Sequence, residues 1–143
     1  MLFRSHKAIA AAPDAGCYSA SAMAEIASLP KSLVFTTLNL GPAILAYTPH
    51  SVTSAGYHRS SAAYWNGIGA FESEATLQAA LARSEADYLV ICTDGALEST
   101  SPLLVALQSR ALPVWLSDAT EGRKRVRVFQ VEKPALAVSG GAP

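Results

Sequence analysis

The chain of 143 residues is poor in charge: Asp, Glu, Lys and Arg make up 15% of it, and eleven basic residues cancel eleven acidic ones. A chain without net charge has no overall field to draw in a nucleic-acid backbone or an anionic membrane surface. Its one basic run, Arg123-Lys124-Arg125 with Arg127, has the size of an ordinary solvated turn, so no nucleic-acid partner is expected. Long hydrophobic runs are lacking too, and no stretch approaches the ~20 apolar residues a membrane-spanning helix requires. Arg4 and Lys7 before Ala8 to Ala12 imitate a signal peptide, but the apolar run is too short for one. Of two cysteines, Cys17 and Cys92, neither has CxxC spacing or a nearby His, so no metal site, redox centre or other cofactor is expected. The glycines form no GxGxxG or GxxxxGK[ST] phosphate loop, and no GxSxG elbow occurs. Asp87, Asp94 and Asp118 lie near strand ends without a spacing that calls for paired acid/base work. No catalytic residue is assigned.

What is present is apolar: 50% of the residues are hydrophobic, enough at this length for one shared core. The expected organisation is a flexible segment over 1–16, a single domain over 17–132 and a disordered, Gly-rich tail over 133–143. Small and apolar residues at Ala20, Met23, Ala24, Ile26 and Ala27 predict a helix closed by Pro30. Ser32 to Leu38 reads as a strand ended by Asn39-Leu40-Gly41-Pro42, while Ala43 to Tyr47 is open between strand and helix. Ser51 to Tyr57 reads as a strand, Ser60 to Phe71 as an imperfect helix, and the stretch after Ser73 as a capped helix carrying Leu77, Ala80 and Leu81 on one face. The nearly all-apolar run Asp87 to Cys92 predicts the centre of the sheet, with Asp94-Gly95 as a turn after it. Ser101-Pro102 opens a helix through Arg110, and strands at Pro113–Leu116 and Val126–Val131 close the fold. The fold class is therefore α/β (or α+β), a mixed sheet of about five to six strands with three to four helices packed on it.

The densest polar cluster is Thr48-Pro49-His50-Ser51 followed by Tyr57-His58-Arg59-Ser60. On an unbroken strand His50 and His58 share a face but stand about 26 Å apart at ~3.3 Å per residue, too far for one metal. At the turn, His50, Tyr57, His58 and Arg59 are candidate ligand-binding residues, with Arg59 able to grip a phosphate bidentately. The alternative is that the two imidazoles pin loop carbonyls. Two further readings stay open: a small stand-alone hydrolase or transferase with His50 or His58 as general base, and a protein-interaction module if Trp65 or Trp115 is exposed. Cys17 and Cys92 could form a bridge closing a loop of roughly 75 residues, or remain two buried thiols.

Leu38-Asn39-Leu40-Gly41-Pro42-Ala43-Ile44-Leu45, Tyr47-Thr48-Pro49-His50-Ser51-Val52 and Tyr57-His58-Arg59-Ser60 resemble, in that order, the C-terminal extracytoplasmic domain of bacterial multi-span membrane proteins related to the polyprenyl-phosphate-sugar (dolichyl-phosphate-mannose type) glycosyltransferases. The resemblance runs from Cys17 to about residue 132, and departs from the pattern at Ser60, where Asn is favoured, and at Asn39, where Asp is commoner. It implies an extracytoplasmic (periplasmic) setting at the inner membrane, in which Cys17 and Cys92 pair. It further implies that the catalytic acid lies in a membrane-embedded partner, in the same or a neighbouring protein. The chain would then be an accessory lobe that contacts a lipid-linked sugar or its acceptor.

Overall fold

The computed structural model describes residues 16–54, 65–109 and 112–140. Short polar side chains and prolines start most of its helices. Ser19 Oγ accepts the Ala22 N–H at 3.1 Å and caps α1 (Ala20–Ala27), whose Ala22, Met23 and Ile26 are buried. β1 (Leu33–Thr36) follows, and the segment left open on sequence is helix α2 (Gly41–Tyr47), with Pro42 in its first turn. β2 is only Ser51–Val52. Thr53 still donates its N–H to Val34 O at 3.1 Å, but the strand expected through Tyr57 is cut short, and residues from Ala55 onward to 64 lie outside the described residues.

A 3-10 helix, Gly69–Glu72, leads into α3 (Glu74–Ser84). There the Ser73 and Thr76 side chains each accept the other's backbone N–H, a reciprocal cap. β3 (Tyr88–Cys92) is followed by α4 (Ala96–Thr100) and α5 (Pro102–Gln108), the latter capped by Ser101 Oγ on Leu104 N–H. The chain then makes β4 (Leu116–Asp118), β5 (Val126–Val131) and α6 (Lys133–Gly140). The strand expected at Pro113 to Leu116 thus starts at its last residue.

The strands stand in the order β2-β1-β3-β5-β4. β1 is parallel to both β2 and β3, whereas β5 is antiparallel to both β3 and β4, so the sheet is mixed and open. Side chains alternate along it with the period of two that a pleated strand imposes. Val34, Val90, Cys92, Val126 and Val128 face one core with Met23, Ile26 and Ile44 of α1 and α2. Phe35, Leu89, Ile91, Phe129 and Val131 face the other with Leu77, Leu81, Leu104 and Leu136 of α3, α5 and α6. Both faces of β3 are therefore covered, as its apolar run requires.

Two corrections concern helices. The described residues hold six α-helices and one 3-10 helix, against three to four expected. The surplus comes from α2, left open on sequence, from α4 and from α6, of seven, five and eight residues, too short for a helical period to register. The expected tail is helical from Lys133 to Gly140, and buried Leu136 anchors it in the core.

Cys17 and Cys92 form a disulfide with Cα atoms 5.7 Å apart and a sequence separation of 75. Both are buried, so the bridge fastens the segment entering α1 to the end of the central strand. Replacing both cysteines with Ser should lower unfolding free energy by about 4 kcal/mol on a chain-entropy basis, read as a fall in the urea midpoint.

At the other end of β3, Asp87 Oδ2 accepts Leu33 N–H at 3.0 Å and Oδ1 accepts Lys133 Nζ at 2.9 Å. The Lys133 bond first, and the Leu33 bond second, hold this carboxyl below its ordinary value of 3.8. A depressed carboxyl pKa adds stability above the unfolded-state value and loses it as pH falls through the folded-state value. Asp87→Asn should thus unfold at lower urea at pH 7, by no more than about 1 kcal/mol for so exposed a pair, and the gap should close as pH is taken below 3.8.

Candidate functional site

In an open sheet with parallel strands, a crevice opens at the strands' carboxyl ends where successive connections leave in opposite directions. β1 connects toward β2 on one side and β3 toward the β5–β4 side, so that place is the gap between the ends of β1 and β3. Thr37 follows β1 there, and Cys92 ends β3. A cavity of about 400 Å³ lies at this end, lined by Thr37, Leu38, Asn39, Gly67, Ile68, Leu97, Glu98 and Thr100. A second, of about 290 Å³, shares Ile68 and Leu97 and continues past Phe71 to Pro102.

Glu98 is the buried charge-bearing group of this crevice, 2% exposed. It sits three residues after Gly95, the N-cap of α4, where a side chain can reach back toward the strand end. Its Oε2 accepts the Cys92 N–H at 2.9 Å and the Thr37 hydroxyl at 3.3 Å, joining the ends of β1 and β3. Its backbone oxygen accepts Gln108 Nε2 at 3.2 Å, tying α4 to α5. Glu98 Oε1 packs against the backbone of Gly95, where an added Cβ would overlap it and force the carboxylate to shift. The two ion pairs among the described residues are Arg127–Asp118 and Lys133–Asp87, and neither includes Glu98. Negative charge collects at this end: burial pushes the half-exposed Tyr18 phenol's pKa up, and the Glu98 and Asp94 carboxylates push it the same way.

Cys17, Cys92 and Asp94 bring potential ligand atoms within 4.8 Å of one another. Both sulfurs are used in the disulfide, however, so neither is a thiolate ligand. Asp94 Oδ1 lies 3.1 Å from Cys92 Sγ, a contact and not a hydrogen bond, because a disulfide sulfur carries no hydrogen.

His50 is buried at the opposite end of the sheet, and the expectation that it sits on a ligand-facing rim is corrected. Its Nδ1 accepts Ser32 N–H at 3.2 Å, which leaves the proton on Nε2, donated to Ile26 O at 2.8 Å. Bonded to backbone through both nitrogens, the ring holds the α1–β1 loop against the start of β2. Such a ring has no lone pair left to act as a base. Tyr57, His58 and Arg59 lie outside the described residues. The described chain leaves at Ser54 and returns at Trp65; a Cβ on Gly67 would overlap Ser54 Oγ, so the two ends meet beside the crevice. Trp115 is buried and Trp65 is partly exposed against Gly69.

Another cavity, of about 480 Å³, lies near Pro30, Ser32, Asp87 and Lys133 at the opposite end. Two of its carboxylates are already engaged, Asp87 as described and Glu132 by the Ser117 hydroxyl at 2.6 Å. No family model matches the chain, and no curated protein or solved structure matches it. The crevice therefore has to be read from its own chemistry.

That chemistry is one acceptor-rich carboxylate, hydroxyls and an amide at the rim, and apolar walls. Sequence reasoning passed over Glu98, taking Asp94-Gly95 as a plain turn. The available signal was an acid three residues after a glycine that follows a buried strand, the spacing of a helix-start acceptor. Gly95→Ala and Glu98→Ala should each destabilise the fold by about 1–3 kcal/mol through loss of the acceptor for the buried Cys92 N–H, whereas Glu98→Gln should cost less because an amide oxygen can accept that bond. Urea unfolding of the three variants checks the order.

Proposed function

We propose that this chain is a non-catalytic, extracytoplasmic binding domain that holds a sugar or its acceptor in the β1/β3 crevice, for catalytic machinery carried by a membrane-embedded partner. The observation that carries the reading is the isolation of Glu98. It lines a cavity of about 400 Å³ at the switch point of the sheet, with no second acid, imidazole or ion-paired base bonded to it among the described residues. General acid/base or nucleophilic chemistry needs at least one more group within hydrogen-bond reach. Binding needs only donors, acceptors and shape. Asn39 offers an amide to a polyol and the Thr37 oxygen, whose hydrogen goes to Glu98, offers an acceptor, while Leu38, Ile68 and Leu97 offer apolar contact to its carbon face.

The compartment is supported by the buried Cys17–Cys92 bridge, which persists where thiols are oxidised. A protein partner is supported by the outer side of α2, where Leu45 and Tyr47 are exposed directly after the Leu38-to-Pro42 segment that carries the membrane-family resemblance. The stand-alone enzyme reading loses His50 as its base, since that ring is bonded through both nitrogens.

Titration of the isotope-labelled protein with a detergent-solubilised polyprenyl-phosphate sugar should shift the amide signals of Thr37 to Asn39 and Leu97 to Thr100, and leave those around Asp87 and Lys133 in place. Shifts confined to the Asp87 end, or turnover of the sugar by the purified chain, would overturn the proposal.

A further inference from the structure

Trp65 and Ile68 are both large, apolar and open to water, at 40% and 47% exposure. A single exposed apolar side chain is ordinary on a protein surface, but these two are neighbours at the rim of the crevice. Residues 65–67 are helical, and side chains three positions apart on such a turn lie side by side. Ile68 lines both crevice cavities, so its neighbour Trp65 extends that wall outward. The indole is also held in place: its six-membered ring packs on Gly69, where an added Cβ would overlap Cε3 and Cζ3. A bulky ring fixed in advance loses little freedom when a ligand covers it. Deeper in, the crevice supplies the Asn39 amide and the Thr37 oxygen. An apolar plate beside a few convergent polar groups matches a molecule with apolar faces and a polar rim. A pyranose ring has that form, with hydroxyls around its edge and axial C–H bonds on its faces.

We infer that Trp65 is a stacking platform for a pyranose, the C–H face of the sugar lying on the indole while its hydroxyls reach Asn39 and Thr37. The inference rests on reading the crevice as a sugar-binding site, and adds which face of the sugar is recognised and by which residue. Any phosphate on the ligand stays outside this contact, because neither the indole nor the C–H face carries charge.

The chain has two tryptophans, and Trp115 is buried at 3% exposure, so acrylamide quenching of the wild-type fluorescence reports on Trp65. Methyl β-D-glucopyranoside should protect that fluorescence and shift the Trp65 indole N–H together with the amides of Thr37 to Asn39. Sorbitol has the hydroxyls without a flat C–H face, and cyclohexanol has the ring with a single hydroxyl; each should bind about fivefold more weakly or worse. By amide titration, Trp65→Ala should raise the glucoside Kd about fivefold, and Trp65→Phe should raise it less, since a smaller ring still stacks. Gly69→Ala keeps the tryptophan but displaces its ring, and should weaken binding in the same direction while the spectrum stays dispersed. If the glucoside shifts Thr37 to Asn39 but leaves the Trp65 indole unshifted and fully quenchable, the stacking inference fails and the sugar-binding reading stands. If no crevice signal moves with the glucoside or with the polyprenyl-phosphate sugar, both fail. Cyclohexanol binding as tightly as the glucoside would also overturn the inference, because Trp65 would then be a plain apolar contact. None of these wild-type outcomes depends on a variant folding.

Discussion

The end of β3 is held by three bonds that meet at one residue. Cys92 pairs across the ladder with Val126, bonds through sulfur to Cys17, and donates its N–H to Glu98. Each tie recruits a different part of the chain: the closing strand, the segment before α1, and the helix after β3. Breaking the bond to the carboxylate would leave the buried Cys92 amide dry and unsatisfied. The crevice inherits its shape from this junction. Were the end of β3 free to fray, neither the floor of the cavity nor the position of Glu98 would be defined.

The two ends of the sheet solve different problems. At the amino ends of β1 and β3, polar groups are matched one to one: His50 with Ser32 and Ile26, Asp87 with Leu33 and Lys133. That end is finished structure. At the carboxyl ends, one buried carboxylate oxygen serves two donors, the Cys92 N–H and the Thr37 hydroxyl, beside walls that are largely apolar. A few fixed polar groups in an apolar crevice are how a rigid scaffold prepares for a ligand. The covalent bridge at Cys92 holds that end of β3 in place.

The parts of the fold legible in the sequence were those decided locally. Ser73 and Ser101 cap helices through bonds three residues away, and the apolar run before Cys92 could only be a strand covered on both faces. The sheet class and the strand count of about five followed from such segments. What stayed hidden was decided by residues far apart. The partners of His50 lie 18 and 24 residues away, so nothing near it in sequence distinguishes a pinned ring from a ligand contact. Glu98 owes its role to Thr37, which is 61 residues distant. The short helices α2 and α4 are held by packing more than by their own periodicity. Two cysteines allow a single bridge, and only the resemblance favoured it over two free thiols, since spacing alone does not show whether the sulfurs meet. Tyr57, His58 and Arg59 lie outside the described residues and are neither supported nor displaced.

The strand order carries a consequence for the way the chain is made. β3 is bonded on one side by β1, which precedes it, and on the other by β5, which follows it in the chain and is the last of the five described strands. A nascent polypeptide that has reached Cys92 can already hold β2, β1 and β3 together and bring both sulfurs to hand. Until Val126 to Val131 emerges, however, it displays a bare row of amides and carbonyls along its most hydrophobic strand, a ready template for a neighbouring copy. Truncation between Cys92 and β5 would thus leave a product whose β3 is covered on one flank and open to pairing on the other.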